Sequence, residues 1–68
     1  MPSGTVKTFD AAKGYGFIQP DGGGEDVYVH ISIVRKAGLE QLHFGASVIF
    51  DLLLNHHGKP VADNLRLQ

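Results

Sequence analysis

The sequence predicts an all-β fold, a small five-stranded antiparallel barrel, on three observations. Apolar residues nowhere repeat at helical spacing over three turns, whereas several short runs alternate and are rich in β-formers. Nine glycines and three prolines fall between and around those runs as turn punctuation. The links joining the first three runs are too short for parallel crossovers, and closing the sheet removes the exposed edges that five short strands would leave in a 68-residue chain.

Residues 4–10 alternate and form the first expected strand. Ala11-Ala12-Lys13-Gly14 turns the chain into a second strand over residues 15–19. Pro20-Asp21-Gly22-Gly23-Gly24 is a strong turn, and residues 26–31 form a third strand. These three make an antiparallel meander. Residues 32–38 read as one short helical turn, with Ser32 as cap and Gly38 as stop, and residues 39–46 as a long loop. Residues 47–54 form a fourth strand, Asn55-His56-His57-Gly58 a turn, and Lys59 or Pro60 opens a fifth strand that runs to Leu67. Pro60 sits near its start, where a missing donor is tolerable. A three-stranded meander plus a two-stranded hairpin is the arrangement of the OB-fold class. The expected core is Val6, Ile18, Val27, Val29, Val48, Phe50, Leu52, Val61 and Leu65. The whole chain, 1–68, reads as one domain.

Composition narrows the function. A hydrophobic content of 43% fits a folded chain, and the absence of cysteine removes disulfides and thiolate metal sites. The N-terminus lacks the basic start and apolar stretch of a signal peptide, and no apolar run nears the ~20 residues of a membrane helix. A cytoplasmic protein without membrane contact is the expectation. The formal net charge of −1 argues against a protein that grips duplex DNA chiefly through phosphates.

The second and third strands carry the functional signal. Alternation puts Tyr15 and Phe17 on one face, with Gly16 and Ile18 on the other. It likewise puts Tyr28 and His30 together, opposite Val27, Val29 and Ile31. The aliphatic set belongs inside, so four ring-bearing residues gather on the outer face. An exposed apolar cluster marks an interaction site, and flat rings suit flat ligands. Stacking one base on an aromatic side chain contributes roughly 1–3 kcal/mol with little regard to base identity. Lys7, Lys13 and Lys59 are the cations near this face.

Lys13-Gly14-Tyr15-Gly16-Phe17-Ile18 resembles the first ribonucleoprotein motif, and Val27-Tyr28-Val29-His30-Ile31 follows it after one turn. That order is similar to the cold-shock domain, as are Gly4-Thr5-Val6-Lys7, the flanking Asp26 and Ser32, and the Pro60…Asn64 ending. The resemblance covers essentially the whole chain. It implies a barrel that binds single-stranded RNA and DNA, acting as an RNA chaperone or as a regulator of transcription or translation. Carried onto matching positions, the nucleic-acid-binding residues are Lys7, Phe9, Lys13, Tyr15, Phe17, Asp26, Tyr28 and His30, with Lys59 beside them. The rings would stack, Lys7 and Lys13 would meet phosphates, and Asp26 would accept a hydrogen bond from a base edge.

The chain departs from that pattern at four places. Thr8 stands where the family usually has Trp, Asp10 where it has Asn, Ile31 where it has Phe, and Leu39 where an aromatic is common. Weaker binding, or binding over a shorter strand, follows from these losses. Strict alternation also puts Thr8 inward and Phe9 outward, so position 8 can face a ligand only if a bulge intervenes.

Other readings fit less well. His56 and His57 are adjacent, which is no zinc spacing, so no metal or other cofactor is expected. Ser32 lies near His30 without an orienting acid, and Gly14-Tyr15-Gly16 lacks the ending of a phosphate loop, so neither an enzyme nor a small-molecule substrate is expected. The alternative of another class is a degenerate barrel that binds a protein partner or itself, with Leu53 and Leu54 as an added apolar patch. A monomer is the expectation under the first reading, and a weak homodimer under the second.

Overall fold

The computed structural model describes residues 2–68. It contains β1 (Ser3–Asp10), β2 (Tyr15–Pro20), β3 (Val27–His30), α1 (Ile31–Lys36), β4 (Ser47–Leu54) and β5 (Pro60–Leu67). The strands close into a barrel in the order β1-β2-β3-β5-β4. The meander and the hairpin pair antiparallel, as does β1 with β4. The remaining seam differs from an all-antiparallel barrel: β3 meets β5 in parallel, at Tyr28 and Val61.

Each turn is held by its own sequence. The Asp10 carboxylate accepts from the backbone N–H groups of Ala12 and Lys13 at 3.0 and 3.1 Å. Gly14 then takes φ 84, a left-handed value that costs glycine little, and leads into β2. At the β4–β5 turn Asn55 Oδ1 accepts from the backbone N–H groups of His57 and Lys59, at 2.9 and 3.0 Å. Ser3 Oγ donates to Asp21 at 2.7 Å and ties the start of β1 to the β2–β3 turn.

The third strand ends earlier than its pattern implies, at His30, and Ile31 opens the helix. His30, not Ser32, is the N-cap: its Nδ1 accepts from the Ser32 backbone N–H at 3.1 Å. The helix stops in a Schellman motif. Gly38 N–H donates to the Arg35 carbonyl and Leu39 N–H to the Val34 carbonyl, with Gly38 at φ 84.

The core holds Val6, Ile18, Val27, Val29, Val48, Phe50 and Leu65 as expected. Val34 from α1 and Leu42 from the loop before β4 join it. Fully burying one such side chain contributes about 1.5–3 kcal/mol, which is how so short a chain holds its barrel. Two expected core residues do not belong there. Val61 is only half-buried and Ala62 is buried in its place, because β5 carries a bulge. The pairing steps from Ile49↔Arg66 to Asp51↔Asp63, one residue on β4 against two on β5, and Asn64 takes φ 46 there. The extra residue reverses the phase of β5, so Leu65 and Ala62 both point inward. Leu52 keeps its inward phase but is 49% exposed. The β1–β4 ladder ends at Ile49, and beyond the Phe50 N–H bond to the Pro2 carbonyl β4 pairs with no strand on that side among the described residues.

Candidate nucleic-acid interface

The β2–β3 register sets Tyr15 opposite His30 and Phe17 opposite Tyr28 on the outer face. The rings touch. Tyr15 and Tyr28 stack at 5.7 Å between centroids and 21° between planes. Phe17 meets both edge-on, at 5.9 Å from Tyr15 and 6.0 Å from Tyr28. Such pairs are worth roughly 0.5–1.5 kcal/mol beyond their burial, so the cluster is held in place before any ligand arrives. The three rings are half-buried and His30 is exposed, which leaves ring faces open to solvent.

Position 8 reaches this face through a bulge. The β1–β2 pairing passes from Val6↔Ile18 to Thr8↔Phe17, leaving Lys7 as the extra residue. Thr8 therefore stands beside Phe17 on the outer face. Phe9 is a correction: it does not project outward but lies opposite Gly16, half-buried against the core. A Cβ on Gly16 would come within 2.7 Å of Phe9 Cδ1, so only glycine lets that ring lie there.

The polar groups ring the cluster. Lys7 Nζ lies 3.1 Å from Asp26 Oδ2, and Lys59 Nζ lies 3.5 Å from Glu25 Oε1. Both are surface pairs, worth about 0–1 kcal/mol, so either lysine can leave its carboxylate for a phosphate at little cost. Lys13 is exposed on the β1–β2 turn. Asp10 caps that turn, a role not expected from the sequence although the Asp-x-x-x-Gly spacing from Asp10 to Gly14 carries that signal. Ile31 and Leu39 offer no ring: Ile31 sits beside Gly14, and Leu39 packs partly buried against the core.

Three neighbours were not legible locally. Val61 lies beside Tyr28, and Leu53 lies beside Val61, so the outer row runs Thr8–Phe17–Tyr28–Val61–Leu53 across the barrel. Asn55 lines a hollow of about 270 Å³ together with Phe17, Asp26, Tyr28 and Lys59. Only the parallel seam brings these β4–β5 residues to the rings, and no short-range pattern encodes it. His56 and His57 lie on the turn with ring centroids 4.1 Å apart.

The chain is similar to known proteins over nearly its whole length. Residues 2–68 match the family described as the "cold-shock" DNA-binding domain. The chain is 52% identical to cold shock protein CspA of Rhizobium meliloti over 67 residues, 97% of each chain. It is 46% identical to cold shock protein ScoF of Streptomyces coelicolor over 65 residues, 96% of each. It is 52% identical to the cold shock-like protein CspD of Escherichia coli over 52 residues, 76% of this chain and 70% of that one.

Proposed function

The chain belongs to the cold-shock domain family, and from that membership and the ring cluster we propose that it binds single strands of RNA and DNA in the cytoplasm by base stacking. Tyr15, Phe17, Tyr28 and His30 supply the stacking surfaces. Lys7, Lys13 and Lys59 meet backbone phosphates. When Lys7 turns to a phosphate it releases Asp26, whose carboxylate then accepts from a base edge.

The observation that carries this reading is the contact of three rings on a solvent-facing sheet surface. Bases are available to such a surface only when unpaired. Binding the open strand and not the duplex shifts weak secondary structure toward the open form by mass action. The protein therefore acts as an RNA chaperone, or as a regulator wherever a hairpin controls transcription or translation. The test is a tyrosine-fluorescence titration with oligothymidine. Tyr28→Ala is expected to lose about 1–3 kcal/mol of binding; an unchanged affinity would remove stacking as the mechanism.

A second reading has one observation in its favour. Leu52, Leu53 and Leu54 are 49, 48 and 69% exposed in a row, which suits self-association. Under it, the mass measured by sedimentation rises with protein concentration.

A further inference from the structure

The barrel leaves the far half of β4 with an open edge. Phe50 N–H donates to the Pro2 carbonyl at 3.0 Å, on the side of β4 away from β5. Asn55 N–H donates the other way, to the Lys59 carbonyl at 2.9 Å, where the chain turns into β5. Backbone groups alternate in direction along a strand. Leu53 therefore faces β5, as Asn55 does, while Leu52 and Leu54 face away, as Phe50 does. Pro60 stands opposite Leu54 and has no N–H to give, which fits the same phase. The backbone N–H and carbonyl groups of Leu52 and Leu54 thus meet no strand among the described residues.

Natural sheets guard such an edge with a charge, a proline or a bulge. Leu52-Leu53-Leu54 carries no charge and no proline, and the extra residue of the β4–β5 bulge lies on β5. All three leucine side chains are exposed instead. The free edge is also self-complementary. Pro2 occupies the edge at Phe50, and the turn begins at Asn55, so the midpoint of what is free is Leu53. An antiparallel copy centred there sets Leu53 against Leu53 and Leu52 against Leu54. The open donors and acceptors of both copies then meet each other. Asp51 falls opposite Asn55, so a carboxylate faces an amide and not a second carboxylate. A two-fold axis through Leu53 satisfies both chains at once.

We infer that a second copy of this chain covers this edge, the two β4 strands pairing antiparallel about Leu53; this rests on the self-association reading above and gives it a surface and a register. Edge pairing covers neither face of the sheet, so the rings of both copies stay open to a ligand. The outer row Thr8–Phe17–Tyr28–Val61–Leu53 then runs on from Leu53 of one protomer into the same row of its partner. Three leucines from each copy make a small interface, so the association is weak and depends on concentration.

The test joins sedimentation of wild type over a range of concentrations to disulfide trapping. The chain has no cysteine of its own, so a single introduced thiol reports one position. Leu53 is half exposed, and Leu53→Cys folds. At the centre of the proposed pair the two Leu53 residues face each other as a non-hydrogen-bonded pair, with Cα atoms about 4.5 Å apart, within disulfide reach. Phe44→Cys, on the loop before β4, is the control, and at 85% exposure Phe44 is the more accessible position for random collision. The wild-type mass is expected to rise with concentration, and Leu53→Cys to cross-link roughly tenfold or more faster than Phe44→Cys under mild oxidation, since paired thiols meet at a high effective concentration. A rising mass with equal cross-linking rates overturns the β4 edge and leaves self-association standing through another surface. A mass that stays at the monomer value throughout overturns both, and leaves the edge to a strand of another protein.

Discussion

Lys7 is the extra residue of the β1 bulge, and its insertion exchanges the roles of Thr8 and Phe9. Alternation made Tyr15, Phe17, Tyr28 and His30 legible in the sequence, because β2 and β3 pair without interruption. Phe9 was not legible, because the bulge depends on partners far along the chain. Val6 N–H donates to the Ala46 carbonyl, and Gly45 N–H donates to the Val6 carbonyl, each at 2.8 Å. With Thr8 beside Phe17, Thr8→Trp adds a stacking surface to the row. A gain of about 1–3 kcal/mol in oligothymidine affinity is expected, and titration of the variant against wild type checks it. Gly16→Ala acts on the inner side. Its methyl group would crowd Phe9, and a loss of roughly 1–3 kcal/mol in stability is expected, read as a lower urea midpoint.

At the scale of elements, the strands were read from pattern almost to their ends, and the phase errors have one kind of cause. A period of two predicts which face a residue takes only while no residue is inserted. In β5 the insertion is at Asn64, so Ala62 replaces Val61 in the core and Val61 is released to the outer face. The insertion left one trace in the sequence: asparagine tolerates left-handed backbone better than most residues. It also donates to Asp51 here. Asn64→Ala loses both features, and a cost of about 1–2 kcal/mol is expected from the backbone alone, measured by thermal or urea unfolding. The helix shows the same dependence on tertiary context. Serine is the commoner cap, yet the chain enters α1 two residues earlier because the Ile31 N–H is already held by the Gly14 carbonyl at 2.9 Å. That places a cap, His30, on the ring-bearing face itself.

For the whole molecule, closure decides what the site contains. The barrel and its five strands were legible, since short strands and short links leave few other solutions. The parallel seam between β3 and β5 was not, and it is what carries the ring row on to Val61 and Leu53. Charge is the other global property. Acidic residues outnumber basic ones by seven to six, and two lysines at the site are already paired with carboxylates. Under the proposed single-strand reading, a protein so balanced would hold a polyanion mainly through its rings, with about two or three phosphate contacts at most. The most direct measurement is the salt dependence of oligothymidine affinity. By the single-strand rule, the plot of log affinity against log salt is expected to have a slope of about −1.5 to −2; a slope steeper than about −4 would show that phosphates, not stacked bases, hold the strand.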